Sequence, residues 1–174
     1  MGIIVGSNEY IVDHLDGHFS YSDAATSITP LTVTGGGGDV VLTNDTLGAN
    51  TMRDFKPCGV PDVWNPTTNR FDFSDLALGD EITIRMDLSL ITTSPNTEVN
   101  INLHLADDSY VIPFLTSMDY KTAKTHIVLE TNRIFIGNLG TLNGGGFIAM
   151  NVDKTCTVEV HGWYCSIKRY NRFY

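Results

Sequence analysis

Long apolar runs are missing from this sequence. No stretch of eighteen apolar residues occurs, so a membrane-spanning helix is excluded and no membrane insertion is expected. Cations are scarce: Lys+Arg 11 stand against Asp+Glu 20, a formal net charge of −9. A chain this acidic is a poor nucleic-acid binder unless its few cations cluster. They cluster only at Lys168, Arg169 and Arg172, which read as a solvated strand end or a subunit contact. Cysteine is limited to Cys58, Cys156 and Cys165. An odd count points to reduced thiols. Cys156 and Cys165, nine residues apart in one extended segment, would lie about 30 Å apart, too far to bridge. Both are expected to be buried or half-buried.

Export and catalytic signatures are also missing. The opening MGIIVG has neither the basic region nor the long apolar core of a signal peptide. Gly6 stands where a myristoylation motif needs Ser or Thr. Asn44-Asp45-Thr46 is formally a glycosylation sequon, read as chance without an export signal. Gly-x-Ser-x-Gly, His-Glu-x-x-His and Cys-x-x-Cys are absent, so no catalytic residue, cofactor or metal ligand is assigned. His14 and His18 have a metal-binding spacing only on a helix, and Gly17 between them argues against one. His104 and His161 fall on polar strand faces, where a solvated or cross-strand hydrogen-bonded imidazole is ordinary. Asp107-Asp108 reads as a polar turn, because a calcium loop needs further spaced oxygens.

What is present is alternation. Ile82, Ile84, Met86, Leu88 and Leu90 alternate with Thr83, Arg85, Asp87 and Ser89. After Ser94-Pro95-Asn96, Val99, Ile101, Leu103 and Leu105 alternate with Asn100, Asn102 and His104. A period of two marks strands wet on one face, and the short connection predicts an antiparallel hairpin. Further strands are predicted in residues 27–34, 40–42, 110–115, 127–129, 133–137, 147–152 and 156–170. Pro30 and Pro113 imply a strand start, an edge or a bulge. Residues 35–38, GGGG, read as a hairpin tip, since a phosphate loop would need a Gly-Lys-Ser/Thr ending and a helix. Residues 44–69 are irregular, pinned by Trp64. Only residues 119–124 suggest a helical turn, and 138–146 read as a glycine-rich loop. Beyond Gly162, Trp163, Tyr164, Cys165 and Ile167 look apolar on both faces, which calls for a second cover. These patterns predict an all-β fold, an antiparallel β-sandwich or jelly roll of about eight to ten strands. Residues 1–18 read as an arm, or as a first edge strand, and residues 19–174 as the jelly-roll domain.

Within that frame, FDFSDLALGDEITIRMDLSL, SPNTEVNINL, YVIPF and VEVHGWYCSIKRY resemble the compact jelly-roll domains of tailed-phage virion proteins. Gly79-Asp80 before a long strand, the Asn-Thr turn and the terminal Gly-Trp-Tyr strand carry the likeness, over residues 71–170. The family comprises decoration and head-fibre proteins and tail-fibre tips, with a tumour-necrosis-factor-like trimer. The resemblance implies a non-enzymatic capsid decoration (cement) or head-fibre protein, assembled into the virion in the host cytoplasm. Its implied partners are two further copies in a homotrimer and the major capsid protein or another virion protein. It implies a trimer contact through Trp163, Tyr164, Cys165, Ile167 and Tyr170. It leaves docking on the capsid to the arm, through Ile3, Ile4, Val5, Tyr10, Ile11 and Val12. The alternative is a receptor-binding fibre tip that recognises host-surface glycan; a polysaccharide hydrolase has no residue to recommend it.

Overall fold

The computed structural model describes residues 15–170. Eleven strands and two short helices follow in chain order: β1 (Gly17–Ser22), α1 (Ala25–Ile28), β2 (Leu31–Val33), β3 (Val40–Val41), β4 (Trp64–Asn65), β5 (Arg70–Phe71), β6 (Glu81–Thr92), β7 (Thr97–Leu105), β8 (Tyr110–Tyr120), β9 (Thr125–Phe135), α2 (Leu139–Gly144), β10 (Gly146–Val152) and β11 (Cys156–Lys168). One sheet has the order β1-β11-β6-β9, with β2 also on β11. The other has the order β4-β5-β10-β7-β8, with β3 also on β10. All pairs are antiparallel, and they nest: β7 with β8, β6 with β9, β5 with β10, β1 with β11. This is one long hairpin, its tip at the β7–β8 turn, rolled until β6 meets β11 and β7 meets β10. The chain is a jelly roll, the expected fold class.

Alternation dictates the core. Ile82, Ile84, Met86, Leu88 and Leu90 of β6 and Val99, Ile101 and Leu103 of β7 are fully buried. The two strands are not a hairpin, however. β6 pairs with β9 and β11 in the first sheet, and β7 with β8 and β10 in the second. The turn at 93–96 crosses the sandwich, so the two polar rows face opposite sides of the molecule. Residues 35–38 likewise join β2 of the first sheet to β3 of the second, and are a crossover rather than a hairpin tip.

Helical turns lie elsewhere than expected. Residues 119–124 form the end of β8 and a turn. Instead, α1 opens where Asp23 accepts from the Thr26 amide and hydroxyl, both at 2.7 Å. Asn138 caps α2 by accepting from the Thr141 amide at 2.8 Å. Helices of four to six residues leave too little periodicity to read.

β11 corrects the reading of two apolar faces. Val160 pairs with Leu88 but Gly162 pairs with Asp87, so His161 is an extra, bulged residue. A bulge shifts the inward phase by one. Cys156, Val158 and Val160 point inward before it; Trp163, Cys165 and Ile167 point inward after it. Opposite them stand Tyr164, Ser166 and Lys168, of which only Tyr164 is aromatic. Tyr164 is covered within the chain, with the Arg85 guanidinium 5.3 Å and the His18 ring 5.6 Å from its ring centre. A second copy is not needed to explain this strand. Gly162 is required at the bulge: its φ is +157°, and a Cβ would stand 2.3 Å from the Tyr21 carbonyl oxygen.

Candidate interaction surface

The outward side of β9 exposes large apolar side chains. Ile127, Leu129 and Phe135 point to solvent, 72%, 59% and 62% exposed. Their neighbours across the ladder on β6 are polar: Ile127 opposes Ser89, Leu129 opposes Asp87 and Phe135 opposes Glu81. That polar row is internally paired. Arg85 forks onto Asp87 with two bonds of 3.0 Å, and Arg133 of β9 reaches Glu81 at 3.1 Å. Thr131 and Arg133 lie on the same outward row between Leu129 and Phe135, so the exposed apolar groups are the Ile127–Leu129 pair and, beyond the Arg133–Glu81 ion pair, Phe135.

The row lies on an edge. β9 ends the first sheet and β8 ends the second. The two margins are stitched together where Asn132 of β9 donates to the Pro113 carbonyl of β8 at 2.8 Å. Tyr110 and Val111 of β8 are exposed on the same margin. Neither edge is built for strand addition. Pro113 removes a donor from β8 beside a register irregularity, and Glu130 and Asn132 place polar groups on the inward row of β9. A partner here meets side chains rather than a free ladder.

On the same face the β11 bulge opens a shallow recess of about 210 Å³, lined by Ser20, Asn50, Arg85, Asp87, His161 and Tyr164 among others. Its strongest groups are already engaged: Arg85 by Asp87, and His161 Nε2 by the Ser89 hydroxyl at 2.7 Å.

The outer face of the second sheet carries a different cluster. His104, on a polar strand face where a solvated or cross-strand hydrogen-bonded imidazole was expected, is 6% exposed. Phe147 stacks on its ring at 4.7 Å, and Arg70 lies over the other aromatic partner, 5.0 Å from the Phe147 ring centre. Ala106, Asp107 and Asp108 turn with φ of 53°, 53° and 75°. That unusual left-handed turn directs Asp107 to Arg70 at 2.9 Å and Asp108 to His104 Nδ1. Asp39, from the glycine-rich crossover, approaches His104 from the Nε2 side at 3.5 Å.

The residues nominated from sequence are dispersed. Trp163, Cys165 and Ile167 belong to the core, where Trp163 meets Trp64 edge-on at 5.7 Å. Tyr164 is half-buried on the outward side, and Tyr170 is exposed with Lys168 over its ring. Ile3, Ile4, Val5, Tyr10, Ile11, Val12 and His14 lie outside the described residues. The basic trio separates: Arg169 is buried against Asp80 at 3.3 Å, and Arg172 lies outside the described residues. Ile127, Leu129 and Phe135 were missed as a surface. The signal was there, since THIVLETNRIF has apolar residues in both phases, with Val128 and Ile134 inward.

No protein-family model matches the chain, and no curated protein sequence does. Solved structures give weak likenesses. The VP2 subviral particle of infectious bursal disease virus aligns with 88% of this chain at 9% identity and a TM-score of 0.48. This chain covers only 32% of that protein's length. The Eiger TNF of S. frugiperda aligns over 94% of this chain and 97% of its own, at 8% identity and a TM-score of 0.45. The empty virus-like particle of Cowpea Mosaic Virus aligns over 99% of this chain and 87% of its own, at 11% identity and a TM-score of 0.30. Likenesses of this degree do not assign a family.

Proposed function

We propose that this chain is a non-enzymatic structural protein of a phage virion, a capsid decoration or head-fibre protein that acts as a homotrimer. The observation that carries the reading is the exposure of Ile127 and Leu129, with Phe135 further along, on the outward side of a strand edge closed to ladder extension. Support comes also from the rolled topology and from the sequence resemblance to phage jelly-roll proteins, borne by Gly79-Asp80 and by Gly162, Trp163 and Tyr164. The contact surface moves accordingly. Trp163, Cys165 and Ile167 hold the sandwich together, and the β9 row meets the neighbouring copy.

Burying a whole Leu, Ile or Phe side chain is worth about 1.5–3 kcal/mol, so three such residues, each partly exposed, contribute roughly 3–5 kcal/mol per contact. The test is the double substitution Ile127→Asp with Leu129→Asp, followed by sedimentation velocity. The expected result is a folded, slowly sedimenting monomer, because both side chains point away from the core. Unchanged sedimentation would remove β9 from the contact. Capsid docking is assigned to the segment before β1. Deleting residues 1–14 should leave assembly intact and abolish binding to virions stripped of this protein; retained binding would place docking elsewhere.

A further inference from the structure

We propose that the outer face of the second sheet carries a proton-operated latch: a proton on Nε2 of His104 holds the 35–39 crossover onto β7, and loss of that proton releases it. The ring stands between two carboxylates from separate parts of the chain. On one side is Asp108, in the turn between β7 and β8. Its ionised carboxylate can only accept, so Nδ1 carries a proton and donates to it. On the other side Nε2 is buried, has no hydrogen-bond partner and faces the Oδ2 of Asp39 at 3.5 Å. Because Nδ1 keeps its proton in both states, a neutral ring must turn the Nε2 lone pair toward that oxygen, acceptor against acceptor. A proton on Nε2 converts the same approach into an ion pair. The ring side chain is only 7% exposed, so water does little to relieve the neutral arrangement.

Three parts of the chain bring charge to the ring: the crossover with Asp39, the β7–β8 turn with Asp107 and Asp108, and β5 with Arg70. Arg70 and Asp107 are paired with each other at 2.9 Å, and Arg70 reaches the ring only across Phe147. The strands on either side add no charge: β10 supplies Phe147 and Asn151, and β8 supplies Val111 opposite His104.

The crossover is free to move once Asp39 lets go. Gly36 has a φ of +66°, and a Cβ at Gly36 or Gly38 would meet nothing within 4 Å. The flanks are pinned by backbone bonds, Gly36 to the Val152 carbonyl and Leu42 to the Ile148 carbonyl, both at 2.9 Å. Between them Gly37 bonds only locally, to the Thr34 carbonyl at 3.2 Å. Asp39 is the side-chain anchor, on His104 and, through its other oxygen, on Asn151 Nδ2 at 2.6 Å. The latch therefore governs residues 37–39 and leaves both sheets paired. It does not depend on the β9 contact.

The test is an NMR titration of the isotope-labelled full chain over about pH 5 to 8, the range in which histidine side chains change charge. The His104 ring resonances should move in one step. The amide resonances of Gly37, Gly38 and Asp39 should move with the same midpoint, and their heteronuclear NOE should fall on the alkaline side as the segment gains fast motion. His104→Gln should remove the step at residues 37–39. Asp39→Asn, on an exposed loop away from the core, should leave the ring titrating and those amides level. A ring that titrates while the unsubstituted crossover stays level would overturn the proposal, and so would a ring with no step in this range. The same crossover step persisting in either variant would overturn it as well, because the signal would then come from another group.

Discussion

Substituting Gly162 by alanine examines the feature that sets the orientation of the whole C-terminal half of β11. The new Cβ would lie 2.3 Å from the backbone oxygen of Tyr21 and 3.2 Å from the Ser22 Cα, neither of which is the movable end of a side chain. The backbone conformation itself, at φ +157°, costs an L-residue about 1–3 kcal/mol. Relief of the clash must push the Tyr21 carbonyl away. That carbonyl accepts from Asn44 Nδ2 at 2.9 Å, and Asn44 is fully buried. Leaving a buried amide without its acceptor costs about 1–3 kcal/mol more. The expected loss is therefore about 3–5 kcal/mol, large for one methyl group. Guanidinium unfolding followed by circular dichroism, at one fixed protein concentration, reads it as a lower midpoint at unchanged slope. A loss under about 1 kcal/mol would refute the bulge, and with it the assignment of Trp163, Cys165 and Ile167 to the core.

Other consequences are independent of that strand. Arg169→Ala removes a guanidinium from fully buried Asp80 and should lower the midpoint in the same unfolding assay, by about 3 kcal/mol, because a broken buried ion pair leaves its carboxylate less well compensated. An equal midpoint would show that the pair is solvated. Thiol titration of the native protein should count one reactive cysteine, exposed Cys58, and three after unfolding. Burial pushes the Cys156 thiol up to about 11, and burial together with the charge of Asp62 pushes Cys165 further in the same direction. Both native thiols thus keep their protons where unfolded thiols, near 9.0, lose theirs. Their contribution to stability is complete below that pH and declines above it, so the unfolding midpoint should fall as pH is raised past 9.0. A midpoint that stays level to pH 10.5 would show that these thiols are open to solvent.

The amphipathic strands were legible because alternation reports which face of a strand is buried. Ile82 to Leu90 and Val99 to Leu105 are core residues as their spacing requires. Alternation carries no record of which strand lies alongside, so β6 and β7, adjacent in sequence, were joined into a hairpin that the fold does not make. The GGGG crossover failed for the same reason. β11 misled in another way: one inserted residue, His161, converts a single inward row into an apparent apolar double face. Composition alone cannot separate that from a strand covered on both sides. The exposed row of β9 lay hidden by the reverse effect, since Ile127 and Leu129 flank inward Val128 and resemble a fully buried strand. The burial of His104 depends on Asp39, Asp108 and Phe147, brought together only when the hairpin rolls up.

The central claim is assembly through the β9 edge, and light scattering coupled to size exclusion tests it most directly. At micromolar concentration the protein should elute as one species of about three times the 19.1 kDa chain mass. A single species at 19.1 kDa would contradict the account.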